Sequence, residues 1–176
     1  MDYLARLVGE RLRAERQERG LSVGALAEAA HVGKGSLSEI ENGARNPTLG
    51  TLYALAGALG VPLAKLIADR TGTRLASPGV EVRLLDASHD GTQSVEVYRL
   101  RVEPGVSHSS PAHGPGVVEH MLVTGGRARA GPLGEETEIG AGQSAQWVSD
   151  VPHGYTALGD APVESVLVIR TPDRTP

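Results

Sequence analysis

The sequence contains no cysteine. That excludes disulfides, thiolate catalysis and cysteine-bound zinc, and it fits a reducing, cytoplasmic setting. No apolar run approaches the roughly 20 residues that a membrane-spanning helix needs, so no membrane partner is expected. The opening Met1-Asp2-Tyr3-Leu4 has no basic segment followed by an apolar one, and no secretion signal is expected there. Positive charge is also scarce: the 176 residues carry a net charge of −4. The deficit is uneven, because residues 1–70 sum to +1 and residues 71–176 to −5. An acidic surface repels phosphate, so the second half is not expected to touch nucleic acid. In the weakly basic first half, any such affinity must come from the placement of a few charges.

What the first half does have is helical periodicity. Leu4, Leu7, Val8 and Leu12 fall on one helical face, with Arg6, Glu10, Arg13 and Glu15 expected on the wet side. Gly20 stops that helix, and Ser22 caps a second one over Leu21–Ala30. A tight turn containing Gly33 leads into a compact third helix, where Leu37 and Ile40 share one face while Lys34, Gly35, Ser38 and Glu39 face outward. Thr48 caps a fourth helix that Gly60 ends, and Pro62 opens a short fifth. Two short helices joined by a tight turn form the helix-turn-helix arrangement, whose second helix enters the DNA major groove.

Gly20-Leu21-Ser22, Leu26-Ala27, Leu37-Ser38-Glu39-Ile40-Glu41-Asn42-Gly43, Asn46-Pro47-Thr48 and Leu55-Ala56-Gly57-Ala58-Leu59-Gly60-Val61 carry a family resemblance. Over residues 4–69 the chain resembles the lambda-repressor/Cro-type (XRE-type) helix-turn-helix family. The resemblance implies an all-α, five-helix DNA-binding domain spanning residues 1–69. It implies base contacts from Lys34, Gly35, Ser36, Ser38 and Glu39, with Arg45 and Asn46 against phosphate. It further implies an Arg16–Glu41 pair bracing the first helix against the third. Two departures stand out: Gly33 occupies the usual Ser/Thr cap of the third helix, and Val23 stands where many members carry Gln. Gly35 inside the helix costs about 1 kcal/mol relative to alanine.

Residues 70–79 are polar and punctuated by Gly and Pro, and they are expected to form a linker. Beyond them the period changes from helical to alternating, in Val80/Val82/Leu84, Glu96/Tyr98/Leu100/Val102, Met121/Val123, Arg127–Arg129, Ala145/Trp147 and Val163–Ile169. Many short strands with recurrent turn residues predict an all-β sandwich or barrel over residues 80–176. Five of the six histidines also lie there.

Gly105, His113, Glu119 and Gly126, followed by Gly142 and His153, resemble the two motifs of the cupin family, small jelly-roll barrels that often hold a divalent metal. The resemblance places three of the family's four metal ligands at His113, Glu119 and His153, and puts Pro111 in the fourth position. Five residues, rather than three or four, separate His113 from Glu119. Two imidazoles and a carboxylate suit Zn, Fe, Mn or Ni. Without a metal, the same groups would line a polar barrel mouth for an organic ligand. His120 follows Glu119 on a strand and should face the other way. Together the two resemblances imply a homodimeric, sequence-specific regulator of transcription that binds double-stranded DNA and answers to a small molecule. It is not expected to be an enzyme, since no nucleophile–base pair is visible; a metal-dependent cupin enzyme fused to a DNA reader is the alternative.

Overall fold

The computed structural model describes residues 3–67 and 72–173, with Tyr3 and Leu4 described through their backbone alone. Residues 1–2, 68–69 and 174–176 of the two expected domains lie outside the described residues, as do Arg70 and Thr71 of the expected linker. The chain divides into two compact units, Met1–Asp69 and Arg70–Pro176.

The first unit contains α1 (Tyr3–Glu18), α2 (Val23–Ala29), α3 (Lys34–Glu41), α4 (Leu49–Leu59) and α5 (Leu63–Ile67). The caps explain the boundaries. Ser22 Oγ accepts from the amide of Ala25, Thr48 Oγ1 accepts from that of Thr51, and Gly60 ends α4 in the left-handed region. Leu12, Leu26, Leu37, Ile40, Leu55 and Leu59 fill the centre, all buried. A Cβ on Gly9 would stand 2.4 Å from the carbonyl oxygen of Ile40, so this glycine lets α1 touch the end of α3. Glu15, expected on the wet side, is instead buried; it accepts from Arg19 at 2.7 Å and pairs with Lys65 at 2.9 Å. The two cations supply the compensation that a buried carboxylate needs.

In the second unit all pairings are antiparallel. One sheet has the order β1-β2-β3-β10-β5-β8, from Arg74–Ser77, Val80–His89, Gln93–Val102, Val163–Pro172, Val118–Gly125 and Ser144–Val148. The other has the order β4-β9-β6-β7, from Ser107–Ser110, His153–Ala157, Arg127–Pro132 and Thr137–Gly140. Among the described residues the ladders therefore form two sheets. The expected linker is partly sheet. Arg74–Ser77 pairs residue for residue with Val80–Arg83 around Pro78-Gly79, because Pro and Gly at the two central positions make a tight hairpin turn. Along the larger sheet, strict alternation turns Glu119, Met121 and Val123 of β5 inward with Leu167 and Ile169 of β10. Cross-strand register lines up Glu96, Ile169, Glu119 and Trp147 in one inward row.

No described helix is long and apolar enough to cross a membrane.

Candidate DNA-reading helix and metal centre

The first site is the outer face of α3. Leu37 and Ile40 are buried in the helical core, which leaves Lys34, Gly35, Ser38 and Glu39 exposed and Ser36 half-buried. The turn before α3 is closed by the amide of Val32 bonding to the carbonyl of Ala27, with His31 in the left-handed region at φ 52°. Gly33 caps α3 with no side-chain hydrogen bond, so the first amides of the helix face outward unmasked by a cap side chain. Arg45 folds back onto the helix, donating to Ser36 Oγ at 3.0 Å and standing 3.4 Å from Glu39. Arg45, Glu39 and Ser36 therefore form one polar cluster, while Lys34 makes no ion pair among the described residues. Asn46 is exposed beside Arg45.

Beneath this face, the orientation of α3 is set by Arg16. Its guanidinium grips Glu41 through two hydrogen bonds, 2.6 and 2.8 Å, and also donates to the carbonyl of Leu21. Arg13 adds a hydrogen bond to Asn42 at 2.6 Å. One helix is thereby fastened to both ends of the helix-turn-helix.

The second site lies between the two sheets. Glu119, on β5, is fully buried; His153, which opens β9, is fully buried as well, and His113 is 8% exposed. Five residues follow His113 before Glu119, and the structure absorbs the extra length in a turn. Gly114 and Gly116 both adopt positive φ, and the amide of Val117 bonds back to the carbonyl of Gly114. Ser149 pins both sides of that turn: its carbonyl accepts from His113, and its amide donates to Val117. Gly154, beside His153, allows β4 to close in, since a Cβ there would stand 2.6 Å from the carbonyl oxygen of His108.

The result is a cluster in which one donor atom from each of His113, Glu119 and His153 lies within 4.8 Å of the others. His113 Nδ1 and His153 Nε2 approach Glu119 Oε1 at 2.8 and 2.9 Å. These contacts are short enough to couple the charges, yet Glu119 Oε1 and His153 Nε2 are buried without hydrogen-bond geometry to any described residue. Buried polar atoms held together off hydrogen-bond directions are what a cation-binding set leaves behind. Burial pushes the Glu119 carboxyl upward, but the two imidazoles outweigh it and hold the group well below the usual carboxylate range. Burial lowers the His153 pKa, but its contact with Glu119 prevails and raises it. The set of two nitrogens and one carboxylate oxygen fits Zn, Fe, Mn or Ni.

The other histidines are not members of this cluster, although His108 is near enough to interact with the charges of all three. His120 is exposed on the opposite face of β5. His108 stacks nearly parallel to Tyr155 with ring centroids 6.1 Å apart, and its Nε2 pairs with Ser110 Oγ. Burial lowers its pKa, which favours the neutral ring. Pro111, which the cupin resemblance aligned with a fourth ligand, has no donor atom in its side chain. Tyr155, which no sequence motif singles out, donates its hydroxyl to Glu119 Oε2 at 2.5 Å and so orients the carboxylate.

Comparison with known proteins bears first on the helical unit. Residues 12–66 match the helix-turn-helix family HTH_3. The HTH-type transcriptional regulator SutR of Escherichia coli K12 is 29% identical over 176 residues, which cover 98% of this chain and 99% of that protein. An uncharacterized HTH-type transcriptional regulator of Sinorhizobium fredii, y4dJ, is 40% identical over 75 residues, covering 40% of this chain and 97% of its own length. In fold, the chain is similar to the crystal structure of an HTH_3 family transcriptional regulator from Vibrio cholerae, with a TM-score of 0.87 and 24% identity over 97% of this chain and 98% of that one.

Proposed function

The chain belongs to the HTH_3 helix-turn-helix family of DNA-binding transcriptional regulators, and on that premise we propose a homodimeric, cytoplasmic regulator whose cupin-like β unit senses a small molecule. The observation that carries this reading is the coexistence of an exposed reading helix in one unit and a buried His113–Glu119–His153 cluster in the other. In this reading Lys34, Gly35, Ser36, Ser38 and Glu39 face base edges, and Arg45 and Asn46 face phosphate. Lys34 donates to a guanine edge, and Glu39 accepts from a cytosine amine once Arg45 swings to the backbone.

His113, Glu119 and His153 would hold a divalent ion, whose chemistry is to offer a positively charged docking point for an effector atom. The chain's own part is to keep the three donors dry and aligned, through Tyr155 on Glu119 and the carbonyl of Val151 on His153 Nδ1. Effector binding shifts the balance between DNA-competent and incompetent states, and no turnover is assigned to the site.

A second copy of the chain is the occupant we assign to the outer face of β3, β10, β5 and β8. There Val97, Val168, Val118, Val148, Val166 and Leu122 share one surface by register, with Leu122 42% and Val148 48% exposed. Strand spacing makes this face on the order of 300 Å², the size of the largest apolar patch on an ordinary monomer and often functional, and His120, Gln146 and Arg170 lie among its apolar residues. At its rim, Arg99 and Arg101 beside Glu164 present both signs, which a two-fold copy can match. Two reading heads held together also answer the weak charge of one, because linked sites gain avidity.

The test is DNA selection with the full-length protein, with and without a metabolite panel. Enrichment of a two-fold symmetric site is expected, with affinity altered by at least one metabolite. Recovery of bulk sequence alone at physiological salt would sink the regulator reading.

A further inference from the structure

We propose that the indole N–H of Trp147 is a second anchor in the effector site, and that the effector is a small carboxylate. One carboxylate oxygen faces the His113–Glu119–His153 cluster, and the other accepts from Trp147 Nε1. The proposal rests on the sensor reading above and names the ligand class for that same site.

Trp147 is the chain's single tryptophan and is 7% exposed. Its Nε1 is buried, and no described residue accepts from it. A buried indole N–H nearly always has an acceptor, because desolvating it unpaired is costly. Its position points to the cluster. On β8 it stands directly opposite Glu119 of β5, on the same inner face. Its ring lies 6.2 Å from that of His153 and 6.0 Å from that of Tyr155, centroid to centroid.

Three neighbouring polar groups are committed elsewhere. Tyr155 hydroxyl donates to Glu119, His153 Nδ1 faces the carbonyl of Val151, and Ser110 pairs with His108. The indole N–H is thus a donor kept for something the protein does not supply. Charge selects the class: a dication against one carboxylate leaves the site at +1, which a monoanion neutralises. A carboxylate carries two oxygens that can address a cation and an adjacent N–H together.

The single indole makes the test direct. In 15N-labelled, Zn2+-loaded full-length protein, the one indole resonance reports on Trp147 alone. Acetate should move it downfield with saturation, and acetamide, the neutral isostere, should not. In the Co2+-loaded protein, acetate should perturb the visible absorption band, with affinity lower by about tenfold in Trp147→Phe. A retained Co2+ band in that variant shows the cluster intact. An unmoved indole resonance at saturating acetate overturns the proposal, as does equal acetate affinity in the two proteins or equal binding of acetamide. The sensor reading fails separately: there the indole resonance moves while neither acetate nor any other metabolite changes DNA affinity.

Discussion

Arg16 on α1 and Glu41 at the end of α3 form a buried two-point ion pair, Nε to Oε1 at 2.6 Å and Nη2 to Oε2 at 2.8 Å. The side chains are 10% and 2% exposed, so neither charge can turn to water if the other is removed. Contact with Glu41 outweighs burial and raises the Arg16 pKa, so the guanidinium stays charged. Glu41→Ala should therefore destabilise the helical unit by about 3 kcal/mol. Urea unfolding followed by far-UV circular dichroism checks this, and DNA affinity should fall in parallel because α3 loses its brace. A loss below about 1 kcal/mol would show the pair to be solvated.

Lys34 and Arg45 should separate in a binding assay. Lys34→Ala is expected to relax base preference at one position by about 1–3 kcal/mol. Arg45→Ala should instead weaken all sequences alike and flatten the salt dependence by about one unit of slope. Fluorescence anisotropy over a salt series, on selected and scrambled sites, tells the two apart. Unchanged sequence preference in the Lys34 variant removes that residue from the base-reading set.

Leu122→Glu places a charge among the apolar residues on the outer face of the larger sheet. The variant should sediment as a monomer at concentrations where the wild type is dimeric, with weaker binding to a two-fold symmetric site and unchanged binding to a half-site. Sedimentation velocity measures the first effect. A Leu122→Glu protein that still sediments as a dimer places the interface elsewhere.

Asp90 sets an acid limit on the turn between β2 and β3. It accepts from the hydroxyl and amide of Thr92 and from the amide and side chain of Gln93, and these bonds hold its carboxyl well below the usual range. A carboxylate whose folded pKa lies below its unfolded value near 4 stabilises the fold above that pH, and the contribution fades as pH falls. Stability should thus drop from about pH 5 downward, and Asp90→Ala should show a shallower fall. Thermal unfolding between pH 3 and pH 7, about the range where the effect develops, is the measurement.

Metal loading should depend on His153. Elemental analysis of the purified protein is expected to find about one divalent ion per chain in the wild type and little in His153→Ala. Chelation should lower the unfolding temperature of the wild type while leaving that of the variant unmoved. Identical metal content in the two proteins would remove the cluster from consideration as a metal centre.

Much of the helical unit was legible in the residues. Ser22, Thr48 and Gly60 mark boundaries because capping is a bond between residues three or four apart. The outward face of α3 follows from the spacing of Leu37 and Ile40 for the same reason. The change of period after residue 79 announced strands, and alternation alone turned His120 away from Glu119. Four strands escaped that reading. β4, for example, is Ser107-His108-Ser109-Ser110, which has no apolar side chain to alternate, and it is a strand because it pairs with β9.

The sequence by itself determined the helices and six of the ten strands, the donor chemistry of His113, Glu119 and His153, and the exposed side chains of the reading helix, since each rests on bonds or periods a few residues long. Tertiary structure alone decided the rest. It took the turn through Gly114 and Gly116 to bring His113 onto Glu119, Gly9 to let α1 touch the end of α3, and register across β5 and β8 to set Trp147 opposite the cluster. Those are pairings between residues distant in the chain, and register between strands is set by the whole buried face rather than by any local stretch.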